Sequence, residues 1–181
     1  MFYQVIHHCA DDVTRLLDYL SADPCADIQS CGITGHSMGA YTAYLIFANI
    51  PVFRAGVPMN GVPTFTRRWT DILDESRFSN LEWEKALEEN FEESQSLLQL
   101  IRTMDPAEKL KSSFPKALFL MNNDFDSDQP KIYAVDMYRD LLPYYASEPD
   151  RLKLNIYPGG HMVTSQMMMD ALEWFRQFLP A

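Results

Sequence analysis

"CGITGHSMGAYTAYLIFA", residues 31–48, sets a serine between two glycines where a short apolar strand gives way to a helix rich in alanine and aromatic residues. Gly35-His36-Ser37-Met38-Gly39 is a GxSxG pattern. In that pattern the serine sits on a strained strand-to-helix turn, and the flanking glycines let neighbouring backbone approach without a Cβ clash. The turn lifts the serine hydroxyl clear of the sheet. The next backbone N–H, that of Met38, can then point at a developing oxyanion, and the helix N-terminus adds favourable potential there. The competing reading is a glycine-rich turn that only packs helix against strand; a strand before it and a helix after it favour Ser37 as a nucleophile.

Working outward, helical spacing runs from about Val5 to Leu20, with Val5, Cys9, Val13, Leu16, Leu17 and Leu20 on one face. "IQSCGITG" reads as a strand, Met38 to Asn49 as a helix and "RAGVPMNG" as a second strand. From Pro63 to about Ser113 the pattern is charged and mostly helical, as an insertion would be. "KALFLMNN" is a compact apolar run that suits a buried strand, followed by the polar loop "DFDSDQP". A helix over about Lys131 to Tyr145, a strand "RLKLNIY", the turn "PGG" and a helix over about Val163 to Phe178 complete the chain. Alternating strands and helices predict an α/β fold whose mostly parallel sheet is covered by helices, with ligands bound at the C-terminal ends of the strands.

A nucleophilic serine needs a base, and the base needs an acid to orient it, in the chain order Ser, Asp or Glu, His for this kind of turn. Of the four histidines only His161 follows Ser37, and it stands in a loop after a strand. His7 and His8 fall on the first helix, and the elbow should point the His36 side chain away from the Ser37 hydroxyl. The acid loop offers Asp124, Asp126 and Asp128. Asp126 is favoured, three residues after Asn123 and four before Pro130. The alternate aspartates also resemble the start of a calcium loop, but Gln129 then stands where glycine is required and Val135 where glutamate is required.

The 181 residues suit one domain, and at that size roughly 70% of the unfolded surface is buried on folding. With 25 acidic against 15 basic side chains the formal charge is −10, and no Lys or Arg cluster offsets it, which argues against nucleic-acid and membrane partners. The acids concentrate in "DILDESRFSNLEWEKALEENFEES", where a solvated helical face explains them. Cys9, Cys25 and Cys31 have neither CxxC spacing nor an even count, so no disulfide framework or zinc site is expected, and a reducing cytoplasm fits best. The N-terminus lacks a basic region followed by an apolar core, and no apolar run is long enough for a membrane span.

The elbow "GITGHSMG", the acid loop "DFDSDQP" and the histidine loop "YPGGHMV" resemble those of the α/β-hydrolase superfamily in order and surroundings. "AGVPMNGVPTF", "YYASEPDRLKL" and "ALEWFRQFL" are similar to the YitV/YjfP-like esterases, relatives of the dienelactone-hydrolase and prolyl-oligopeptidase-like groups. The resemblance implies Ser37 as nucleophile, Asp126 as acid, His161 as base and Met38 as oxyanion donor, with no metal or organic cofactor and a small-molecule ester as substrate. It also implies one α/β-hydrolase domain over residues 1–181, with a helical lid or cap over about 64–110. Trp69, Trp83, Phe65 and Met104 of that cap could line an apolar pocket or simply pack as core.

The chain departs from the superfamily in one major respect. Several strands and an HG-type loop, which supplies a second oxyanion N–H, precede the elbow helix in those enzymes; here the chain starts at that helix, and no "HGG" or "HGF" occurs. The expected domain is therefore the C-terminal part of the fold, truncated at its N-terminus. One lost oxyanion donor costs about 3 kcal/mol of transition-state stabilisation. Two milder departures are Asn123 in place of a turn glycine and Ala40 where a third elbow glycine is common. The reading is an esterase acting through an acyl-enzyme, with an inactive fragment or binding remnant as the alternative. An exposed sheet edge could also pair with a second copy as a homodimer.

Overall fold

The structure, a computed structural model, describes residues 2–79 and 91–179. Seven α-helices and four strands follow one another among them: α1 (Phe2–Leu20), β1 (Cys31–His36), α2 (Met38–Asn49), β2 (Phe53–Met59), α3 (Phe65–Ser79), α4 (Phe91–Met104), α5 (Ala107–Leu110), β3 (Ala117–Asn123), α6 (Ile132–Leu141), β4 (Leu152–Tyr157) and α7 (Ser165–Phe178). The strands form one sheet in the order β1-β2-β3-β4, every pair parallel. The two inner strands carry the burial: all of β3 and all of β2 except Arg54 are buried, as expected for strands covered on both faces. β1 and β4 are the edges.

Alternation along β3 divides the core. Leu118 and Leu120 face Tyr44, Ile46 and Phe47 of α2 with Ala134, Met137 and Leu141 of α6. Ala117, Phe119 and Met121 face Met167, Ala171 and Trp174 of α7. A third cluster joins Tyr3 and Ile6 of α1, Tyr41 and Leu45 of α2, Phe65 of α3, and Ile101 and Met104 of α4. Each fully buried aliphatic or aromatic side chain contributes about 1.5–3 kcal/mol, so these three clusters fix the layering of the fold.

Sequence and structure differ in places that have local causes. The strand expected from Ile28 begins at Cys31, because the Asp27 carboxylate accepts the Gln29 N–H at 2.9 Å and closes a turn there. Of the face expected for α1, Val13 and Leu17 pack on the core, but Leu16 is exposed, and the fully buried residues of the helix are Tyr3 and Ile6. Phe65 and Met104 lie in the third cluster and half-buried Trp69 packs against it; Trp83 lies outside the described residues. Among the described residues no helix is long and apolar enough to cross a membrane.

Candidate active site

The elbow forms between β1 and α2. Ser37 has φ 56° and ψ −120°, a conformation that costs a non-glycine residue about 1–3 kcal/mol. Its N–H donates to the Met59 carbonyl at 3.1 Å, tying the turn to β2. A Cβ on Gly35 would lie 2.2 Å from the Gly39 carbonyl oxygen, so only glycine fits there. Ala40, in place of a third glycine, is accommodated from the other side: a Cβ on Gly61 would stand 2.4 Å from the Ala40 Cβ, and Gly61 has none. Met38 occupies the first position of α2, where a backbone N–H has no intrahelical acceptor.

Ser37 is the N-cap residue of α2, yet its side chain makes no capping hydrogen bond. Its Oγ lies 2.8 Å from His161 Nε2 instead. On the far side of the ring, Nδ1 lies 2.8 Å from Asp126 Oδ2. A carboxylate only accepts, so Nδ1 carries the proton and Nε2 is left as an acceptor for the serine hydroxyl. Asp126 is buried, and its other oxygen, Oδ1, accepts the N–H groups of Asp128 at 3.0 Å and Gln129 at 2.9 Å. The structure thus brings Ser37, His161 and Asp126 into one chain of hydrogen bonds.

The other two loop aspartates are placed differently. Asp124 Oδ1 accepts the Gly159 N–H at 2.9 Å and joins the acid loop to the histidine loop, while Asp128 is exposed. Ligand atoms of Asp126, Asp128 and His161 lie within 4.8 Å of one another, close enough to hold a cation. Both Asp126 oxygens are already bonded, however, so a cation there would pull His161 off its carboxylate.

His36 is the neighbour that sequence reasoning undervalued. Its ring packs 4.7 Å from that of His161, and burial, with repulsion from His161, holds its pKa below the ordinary value; Asp126 opposes this. Its Nε2 is buried without a hydrogen-bond partner among the described residues. Tyr41, one helical turn after Ser37, donates its hydroxyl proton to Gln129 Oε1 at 2.8 Å and so braces the acid loop against α2.

The model of the prolyl oligopeptidase family matches residues 3–179. The chain belongs to the prolyl oligopeptidase family. Its fold is accordingly that of the α/β-hydrolase superfamily, whose parallel sheet and flanking helices it shows. Solved structures agree on the fold of this prolyl oligopeptidase family member. The acylaminoacyl peptidase of Pyrococcus horikoshii is 19% identical with a TM-score of 0.65, and the match covers 93% of this chain and 27% of that one. An esterase of Pyrococcus furiosus is 17% identical with a TM-score of 0.61, over 93% and 61% of the two chains. The acyl-protein thioesterase 2 of Zea mays is 14% identical with a TM-score of 0.55, over 95% and 65%. The chain therefore spans less than two thirds of the length of each of these proteins. No curated protein sequence matches it.

Proposed function

We propose that the chain is a serine hydrolase of carboxylic esters, working through a Ser37-His161-Asp126 triad and an acyl-enzyme. The observation that carries this reading is the N-cap serine that caps nothing: its hydroxyl is committed to His161 Nε2 at 2.8 Å. A serine serving only the helix would accept an N–H of the first turn. As Ser37 Oγ attacks the ester carbonyl, Nε2 takes its proton, and the Asp126 carboxylate stabilises the imidazolium that results. The Met38 N–H and the N-terminus of α2 meet the oxyanion. His161 returns the proton to the departing alcohol, and water repeats the sequence to release the acid. Relatives in fold are named as a peptidase, an esterase and a thioesterase, so the acyl group is the shared part of the proposal and the ester is the narrower part.

Exposed apolar side chains adjoin each member of the triad in sequence: Met38 beside Ser37, Phe125 beside Asp126 and Met162 beside His161. Such neighbours favour an apolar substrate over a charged one. The segment carrying α3 and α4 packs its apolar side chains onto α1 and α2, which supports a fixed cap over that flank of the domain. A second reading, a non-catalytic remnant, draws support from the position of β1 at the sheet edge. Among the described residues, the strand that leads to Ser37 has no neighbour on one side to bring a second oxyanion N–H. Hydrolysis of a short-chain p-nitrophenyl ester separates the two. We expect turnover that Ser37→Ala lowers by at least about a thousandfold; no turnover from folded wild-type protein would leave the remnant.

A further inference from the structure

We propose that Asn60 and Asn123 are positioning residues for His161, acting as a pair of buried carboxamides that hold the backbone on both sides of the imidazole. The inference rests on His161 being the catalytic base. Asn60 directly follows β2 and Asn123 ends β3, so both stand at the C-terminal rim of the two central strands, and both are fully buried. The Asn123 Nδ2 group donates to the carbonyls of Gly160 and of Met162, the residues before and after His161. Asn60 Nδ2 donates to the same Met162 carbonyl at 2.8 Å. The Asn60 carboxamide is also tied to the end of β3, because its Oδ1 accepts the backbone N–H of Asn123 at 2.9 Å.

The loop needs such a restraint. His161 follows two glycines, Gly159 at φ 138° and Gly160, which leave the preceding backbone unusually free. Between the clamped carbonyls the Met162 N–H donates to the Gly160 carbonyl at 2.8 Å, so His161 stands at the centre of a tight three-residue turn. Fixing both carbonyls fixes the Cα–Cβ direction of His161, and the imidazole must meet Ser37 and Asp126 at the same time. Asn60 holds φ 51°, a left-handed conformation that asparagine tolerates far better than most residues with a side chain. An amide carries two N–H donors and an acceptor in one plane: Asn123 uses both donors, while Asn60 uses a donor and its oxygen. A glycine at position 123, or a carboxylate facing two carbonyls, would release the turn.

The test uses two variants, Asn123→Ala and Asn60→Gly, the second retaining the left-handed backbone. Two readouts are taken: p-nitrophenyl ester kinetics, and the downfield proton resonance of His161 Nδ1–H at low pH, assigned by its loss in His161→Phe. In folded variants we expect kcat to fall about 10- to 100-fold with KM changed less than about twofold. The downfield resonance should broaden or disappear as the imidazole leaves Asp126. A purely structural amide pair would lower the melting temperature and leave the resonance and kcat of the folded protein unchanged, and that result would overturn the proposal. The resonance decides the matter even if the wild-type chain turns over no ester, because it reports the orientation of His161 without chemistry.

Discussion

The two sides of the triad are built to different densities. On the acid and histidine side, the loops after β3 and β4 are cross-linked throughout. Asp124 and Phe125 bond to Gly159, Asp126 to two N–H groups and to His161, and Asn60 and Asn123 to the carbonyls flanking His161. On the nucleophile side, Ser37 follows an edge strand paired, among the described residues, with β2 alone; its N–H bonds across to Met59, its carbonyl accepts the Ala40 and Tyr41 N–H groups of its own helix, and the turn needs the missing side chain of Gly35. The hydrogen bonds of the proposed Ser37-His161-Asp126 relay all lie within this chain. On the same proposal the oxyanion meets one N–H, that of Met38, and among the described residues no strand lies beyond β1. On that proposal the base is oriented from the ends of β2, β3 and β4, and the oxyanion is met from the turn between β1 and α2.

The largest effect on stability is expected at the elbow. Gly35→Ala would place a methyl group 2.2 Å from one backbone oxygen and 2.4 Å from its carbon, and neither can move without opening the turn. We expect a loss of more than about 3 kcal/mol, read as a collapse of the urea midpoint, because the edge strand offers few other restraints. Gly39→Ala is the control. A Cβ there meets no atom within 4 Å, and alanine suits a helix better than glycine, so stability should hold or rise by up to about 1 kcal/mol. Equal midpoints for the two variants would mean that the elbow is more pliant than the close approach implies.

Those two glycines also measure how far the sequence could be read. GxSxG announced the turn, and alternating apolar runs announced four parallel strands, because both are local signals of spacing. The pattern treats its glycines alike, whereas the fold gives the close approach to Gly35 and, across the chain, to Gly61 opposite Ala40. The same limit hid the amide pair. Asn60 and Met162 are 102 residues apart, so nothing local marks their bond, and Asn123 reads only as an odd substitute for glycine. Aromatic spacing in α3 could not separate pocket from core either; burial of Phe65 against α1 and α2 decides that.

A smaller effect on stability, though a large one on rate, is expected from Asp126→Asn on the dense side. The amide oxygen can still accept the Asp128 and Gln129 N–H groups, so the acid loop should keep its shape. The NH2 group then faces His161 Nδ1 and forces the proton onto Nε2, where it opposes the serine hydroxyl. We expect kcat to fall about ten-thousandfold while the melting temperature moves by only a few degrees, on the order of 1 kcal/mol. A large drop in melting temperature would show that the carboxylate charge, rather than the network of N–H donors around it, holds this side together.

The smallest expected effect lies where the two sides touch, at the His36 ring on β1 against the His161 ring. Burial chiefly, and then repulsion from His161, hold the His36 pKa below 6.5, its ordinary value. In the window between the folded pKa and 6.5 the unfolded chain binds the proton more readily than the folded one, so stability rises with pH there. That contribution is present in full above 6.5 and is lost as pH falls through the folded pKa. His36→Phe keeps a ring against His161 and removes the titration, so its urea midpoint should decline less steeply than that of the wild type as the solution is acidified below 6.5. Parallel declines would mean that His36 accepts its proton freely. The sparse side would then be open enough to water to solvate a charge beside the imidazole, and the contrast between the two sides would be one of solvent access as much as of bonding.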